Sequence, residues 1–466
     1  MSFALSRPVV CLRLPFVLAV AAMGASLVAL PNAAAQDTRT VTEPVIPPVC
    51  QTLTASLAAK HGKLAKGDET RLDTQRLQSA LDQCASGKAV ELRAAGADDA
   101  FLSGPLTISR GVTLLVDRGV TLFASRDPRQ YDTRPGACGT VDQEGGGCRP
   151  LIAVQAPNAA VMGDGSIDGR GGDDLLGRHV TWWDLANQAR AGGRQNCFRL
   201  IIASRADNFI LYRITLRNSP NFHVVVDRTD GFTAWGVKID TPANARNTDG
   251  IDPSGSKNVT ITHSWIRDGD DNVAIKAGGS GASTDMSISH DHFYYGHGMS
   301  IGSETFGGDS RILVSDLSMD GTTSGIRIKS DAKRGGLVDG VTYRDVCMRS
   351  VKTPIDIDPF YEHQRSPGNK VPVFRNILLE GVHAVTPGKV IMDGFDSAHG
   401  SSMWLNGVKI DGLLPADVEA QFGAFTVGPG EVNFTPEGDG VTVSKGTGAA
   451  AAVPDCRDSF PPFPAR

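Results

Sequence analysis

Apolar and polar residues alternate through most of this chain in short runs that return at a slowly drifting interval. The clearest copies are Thr248-Asp-Gly-Ile-Asp252, Asn272-Val-Ala-Ile-Lys276, Gly298-Met-Ser-Ile-Gly302, Gly325-Ile-Arg-Ile-Lys329 and Pro354-Ile-Asp-Ile-Asp358. Their isoleucines, Ile251, Ile275, Ile301, Ile328 and Ile357, are 24, 26, 27 and 29 residues apart. Before each of the last four lies another β-rich run: Val259-Thr-Ile-Thr, Met286-Ser-Ile-Ser, Ile312-Leu-Val-Ser and Gly340-Val-Thr-Tyr. Alternation with period two predicts strands, and several strands per repeat of this length predict an all-β chain wound as a right-handed parallel β-helix. A β-sandwich also has many short strands, but it does not account for a drifting period with matching strand contents.

Upstream, the pattern changes twice. From about residue 88, runs such as Val112-Thr-Leu-Leu-Val and Val120-Thr-Leu-Phe alternate with turn residues. Over residues 70–84, Leu72, Leu77, Ala80 and Leu81 fall at helical spacing, predicting an amphipathic helix that caps one end of the solenoid.

The first 35 residues stand apart. Arg7 and Arg13 precede a nearly unbroken apolar run from Leu14 to Leu30, and Ala33-Ala34-Ala35 follows. This order predicts a secretory signal peptide cleaved after Ala35; an uncleaved N-terminal anchor is the other reading. No later stretch is apolar for long enough to cross a bilayer. Residues 36–48, polar and proline-rich, predict a flexible leader, and 49–466 a single β-helix domain, expected to be a monomer that grows by adding turns.

Charge and cysteines narrow the function. Taking the two leader arginines from the 46 basic residues leaves 44 against 51 acidic ones, a net of −7. That balance argues against a nucleic-acid partner but not against a polyanion gripped by a local cluster of cations. The seven cysteines after the leader suit an exported protein. We expect Cys50–Cys84, Cys138–Cys148 and Cys347–Cys456, with Cys197 free.

The repeat also arranges chemistry. Arg327 and Lys329 flank Ile328, so both should project outward from one strand. Asn247, Asp271, His297 and Ser324 each precede an aligned isoleucine by four positions and should stack in a column, with Asp249 and Asp270 beside it. Glycosidic cleavage needs one carboxyl group to protonate the leaving oxygen and another to attack or to activate water. Asp249, Asp270 and Asp271 supply the pair, and their mutual repulsion favours retaining a proton. Asn247 and Lys276, on the same coils, join Arg327 and Lys329 as binding residues for a substrate that carries carboxylates. Calcium binding is the competing use of clustered aspartates, but Arg327 and Lys329 would repel the ion. Singly, Asp-Asp or Gly-His-Gly would be an ordinary turn; their joint register makes a site.

Asn247-Thr-Asp249, Gly269-Asp-Asp271, Gly296-His-Gly298 and Arg327-Ile-Lys329 together resemble the polygalacturonases, glycoside hydrolase family 28. Ala245–Pro253, Asn221-Phe-His-Val and Gly231-Phe-Thr-Ala-Trp235 look most like the endo-acting bacterial enzymes. The resemblance implies hydrolysis of α-1,4-linked galacturonan with inversion, without metal or organic cofactor. It casts Asp270 as general acid, Asp249 and Asp271 as holders of the attacking water, and His297 as the group that sets the acid's protonation. Arg327, Lys329 and Tyr361, the last in Asp358-Pro-Phe-Tyr, would contact the substrate. Residues 133–149 and 179–197 depart from the pattern and could wall the cleft, so exo action stays open. A pectate lyase and a non-catalytic glycan-binding β-helix are the other readings.

Overall fold

In the computed structural model, which describes residues 1, 36–361 and 368–465, the chain divides into two units, Met1–Ala34 and Ala35–Arg466. The expected signal peptide, past Met1, lies outside the described residues. Among the described residues of the second unit, the strands pair in parallel throughout, except Val141–Asp142 with Arg194–Gln195.

One sheet of eleven strands runs from Leu106–Ile108 to Val418–Gln421. Its central members are Ile251–Ser254, Val273–Ile275, Met299–Gly302, Ser324–Lys329 and Thr353–Asp358. Twenty further strands form a second hydrogen-bonded surface that folds around a corner. Ser283–Tyr294, Asp309–Asp320 and Leu337–Arg349 pass straight through that corner as single long strands. Each has two residues in the left-handed conformation, Asp285 and His290, Arg311 and Asp316, and Gly340 and Asp345; the second of each pair has φ of 58°, 49° and 52°. Gly381 takes the same place one coil on, at 70°. Polar residues that tolerate this region, or glycine, thus recur where the chain must turn a face. This is the parallel β-helix that the repeat predicted.

Inside, the isoleucines form the expected ladder. Ile275 pairs with Ile301, Ile301 with Ile328 and Ile328 with Ile357, all fully buried. Burying each is worth about 1.5–3 kcal/mol. The first rung differs: Ile251 pairs with Val273, not Ile275. A two-residue slip leaves the same side chains facing inward, so the hydrophobic pattern cannot detect it.

The predicted helix, α1, spans Thr74–Gln83 and buries Leu77, Ala80 and Leu81. Leu72 lies before it and is exposed, a departure from the expected apolar face. A second helix, α2 (Trp182–Gln188), was not read from the sequence. It begins at a reciprocal cap between Thr181 and Asp184, and Trp182 packs edge-on against Tyr131 and Phe198. The Thr-x-x-Asp spacing was its signal. Residues 36–48, expected to be loose, lie along the coils. Thr260 donates to Asp37, Arg39 donates to the Phe232 carbonyl and Tyr212 donates to Glu43. The polar composition that suggested a flexible segment is used in these bonds. Cys50–Cys84, Cys138–Cys148 and Cys347–Cys456 are joined, and Cys197 is free and buried.

Candidate active site

The corrected register changes which residues stack. With Ile251 on Val273 and Val273 on Met299, Asp249 stands over Asp271 and Asp271 over His297. Asn247 drops out of the column. Its backbone N–H and side-chain amide instead reach Asp270 Oδ2, each at 3.3 Å. Asp270 is therefore held from the turn, beside the column.

Asp271 is the carboxylate of the cluster that two cations clamp. Lys329 Nζ lies 2.6 Å from its Oδ2, Arg327 Nη1 3.4 Å from its Oδ1, and the Ser300 hydroxyl donates to Oδ1 at 2.8 Å. Burial would raise its pKa, but Lys329, Arg327 and Lys276 together hold it far below the usual carboxylate range. Asp270 is more open, its side chain 17 % exposed against 2 % for Asp271. His297 Nδ1 is 3.2 Å from Asp270 and 3.7 Å from Asp271. Burial pushes Asp270 up, yet His297 and Lys329 bring it below its ordinary value despite repulsion from Asp271.

Protons are held one coil away. Lys276 Nζ is shared between Asp249 and Asp252, 3.4 Å from each. Burial raises Asp249 well above its normal value, and repulsion from Asp252, Asp270 and Asp271 adds to the effect. Asp252 is pushed up to about 7, again chiefly by burial. Buried Asp268, which accepts the Asp270 N–H, is raised as well. Burial lowers the pKa of Lys276, but Asp252, Asp249 and Asp271 more than offset this and hold it well above its normal value. The proton expected on the cluster thus belongs to Asp249, Asp252 and Asp268 in the free site, not to Asp270. Asp249 Oδ1 is buried without a hydrogen-bond partner. His223, buried and with its pKa drawn down to about 4 by that burial, bonds through Nδ1 to the carbonyls of Thr248 and Asp249. It fixes the backbone that carries Asp249.

The outward strand positions complete the site. Arg327 Nε pairs with Asp356 Oδ2 at 3.1 Å, and Ser324 donates to the same oxygen. The Tyr361 ring faces the cations, its centroid 5.0 Å from Lys329 Nζ and 5.6 Å from Arg327 Cζ. The structure thus brings together Asp249, Asp270, Asp271, His297, Arg327, Lys329, Asn247, Lys276 and Tyr361. Lys276 serves first as counter-ion to Asp249 and Asp252, rather than as an open binding cation. Asp252, Ser300 and Asp356 were missed, although the parity that singled out Arg327 also placed each of them outward beside a ladder residue. Donor atoms of Asp270, Asp271 and His297 lie within 4.8 Å of one another, a geometry that suits a metal. Lys329 and Arg327 already supply the positive charge such an ion would bring.

These carboxyls set the direction of the pH response. Asp249, Asp252 and Asp268, together with buried Asp291 and Asp309 and with Asp393, raised to about 6, bind protons more tightly folded than unfolded. Their stabilisation is complete below about pH 4 and is lost as pH rises, for Asp393 and Asp252 through about 6 and 7. Asp271 and Glu69, both lowered, contribute above about pH 4 and fail below it. Thermal stability should therefore peak near pH 4–5 and fall toward pH 8. Melting temperatures at fixed ionic strength check this, and a higher value at pH 8 than at pH 5 would contradict it.

The chain is similar to known proteins over most of its length. The profile of the Glycosyl hydrolases family 28 matches residues 84–422. An endo-polygalacturonase of Pectobacterium carotovorum subsp. carotovorum is 44 % identical, the alignment covering 81 % of this chain and 91 % of that one. A polygalacturonase of Ralstonia solanacearum is 39 % identical over 96 % of this chain and 97 % of its own. The solved polygalacturonase from Erwinia carotovora ssp. carotovora superposes with a TM-score of 0.70 at 40 % identity, covering 90 % of this chain and all of that one.

Proposed function

The chain belongs to the family 28 glycosyl hydrolases, and from that premise we propose that it is a secreted enzyme cleaving α-1,4-galacturonosidic bonds inside polygalacturonate, with inversion. The observation that carries this reading is Asp271, clamped by Lys329 and Arg327 within reach of His297 and beside the more open Asp270. Cations next to a paired-carboxyl centre fit a sugar that carries its own carboxylate.

In this reading Asp271, held ionised by its cations, takes the proton of the attacking water, and the partnerless oxygen of Asp249 orients that water. Asp270 is the acid, because it is the carboxyl open to the groove. Lys329 is among the groups that hold its pKa down. A galacturonate carboxylate on Lys329 and Arg327 offsets that charge, so substrate binding itself lifts Asp270 toward its protonated form. Asp249 and Asp252 are a nearby proton store.

We read residues 1–35 as the export signal, 49–466 as one catalytic domain and α1 as the cap of its first coil, in a monomer acting without cofactor. Among the described residues no helix is long and apolar enough to cross a membrane. One experiment tests the mode of action: viscosity of demethylated pectin followed against release of reducing ends. Internal cleavage halves the viscosity after only a few per cent of bonds are broken. A proportional fall would mean exo action, and product absorbing in the ultraviolet would mean elimination by a lyase.

A further inference from the structure

A second cleft, of about 840 Å³, opens on the twenty-strand surface, and none of the site residues above lines it. Its floor spans four successive coils: Ser166–Asp168, Thr215–Arg217, Lys238–Asp240 and Trp265–Arg267. Ser166 pairs with Thr215, Thr215 with Lys238 and Lys238 with Trp265. Their side chains form an outward column, while Ile167, Leu216, Ile239 and Ile266 beside them are buried. Two segments distant in sequence complete the cleft: Glu43, which accepts from Tyr212, and Phe463, with Arg267 Cζ 4.0 Å from its ring centroid. Cys347–Cys456 and a hydrogen bond from the Tyr294 hydroxyl to the Pro461 carbonyl hold that second segment down.

The cleft is rich in donors that no protein acceptor takes up. Among the described residues, Lys238 has no ion pair, and its Nζ stands 6.0 Å from the Trp265 ring centroid. The hydroxyls of Ser166 and Thr215 and the indole N–H groups of Trp235 and Trp265 make no hydrogen bond there either. Arg217 Nε is buried without a hydrogen-bond partner. Arg118 and Arg213 share a single carboxylate, Asp164. Four cations thus face three carboxylates, Glu43, Asp164 and Asp240, in a chain that is acidic as a whole.

Donors left without acceptors select an acceptor-rich ligand, and a surplus of cations selects an anionic one. A uronate chain is both, since every sugar brings hydroxyls and a carboxylate. The half-buried Trp235 and Trp265 add apolar surface, and the volume is that of a ligand-holding cleft. We infer that the cleft is a second, non-catalytic site that binds a uronate stretch of the polymer and keeps the enzyme on long chains while the groove cuts elsewhere. This rests on polygalacturonate being the substrate. Two sites on one polymer raise its effective concentration at the groove without adding a contact there.

The test compares polymer with short oligomer. In Lys238→Glu, kcat/KM on polygalacturonate should fall about tenfold, through KM, while on trigalacturonate it stays within about twofold of wild type. Lys238→Arg keeps the charge and should keep most of the polymer activity, which separates binding from local structure. Calorimetric titration with hexagalacturonate should show two sites in Asp270→Asn and one in Asp270→Asn/Lys238→Glu. A single site in Asp270→Asn, or an equal change on polymer and trimer in Lys238→Glu, overturns the inference. Wild-type enzyme that does not cleave polygalacturonate overturns the substrate reading, and the inference with it.

Discussion

Asp270→Asn should lower kcat on polygalacturonate by about 10²–10⁴-fold, the contribution usual for a positioned general acid, while oligogalacturonate still binds. The substitution keeps the size of the side chain and removes the most exposed of the three carboxyls. The cations that would hold substrate, Arg327 and Lys329, remain on the neighbouring strand and bonded to Asp271. Calorimetric titration with a short oligogalacturonate, run beside a reducing-end assay, separates the two effects. Retained turnover would move the acid role to Asp249, the carboxyl that holds its proton in the free site.

Lys329→Ala should have a compound effect. From sequence, Lys329 reads as a substrate contact whose loss mainly raises KM. The structure adds a second duty, since its ammonium is 2.6 Å from Asp271 and both groups are almost completely buried. Removing it leaves Asp271 with Arg327 and Ser300 alone. The Asp271 pKa then rises, and the acid limb of the kcat/KM profile moves to higher pH. Both kinetic constants should worsen, by about tenfold or more in kcat/KM. Stability should fall by about 3 kcal/mol, as expected when one member of a buried ion pair is lost. A rise in KM with an unmoved acid limb would confine Lys329 to substrate contact.

Why so much of this site was legible, and where legibility ended, follows from strand geometry. Inside and outside alternate with period two, so Arg327 and Lys329 could be placed outward from their flanking of Ile328, and the buried ladder confirms that placement. The same periodicity hid the slip at Ile251, because a shift of two preserves every facing. That slip decided whether Asn247 or Asp249 stood above Asp271. Protonation was legible only as a total. Three neighbouring aspartates imply a retained proton, but which one keeps it depends on burial, on Lys276 and on Asp252. Those are distances between coils and have no signature along the chain. α2 and the bonded stretch 36–48 were missed for a related reason: their polar residues find partners far away in sequence, as Asp37 does on Thr260.

Among the described cysteines, Cys197 alone lies outside a disulfide. Cys197 is buried, its Sγ donates to the Trp182 carbonyl, and burial drives its pKa far upward. Thiolate is the species that attacks a disulfide, so an odd sulfur held in this way cannot reshuffle the three bridges. The folded protein can therefore tolerate oxidants and alkylating reagents that would scramble an exposed thiol, and Cys197 should become reactive only once its surroundings unfold.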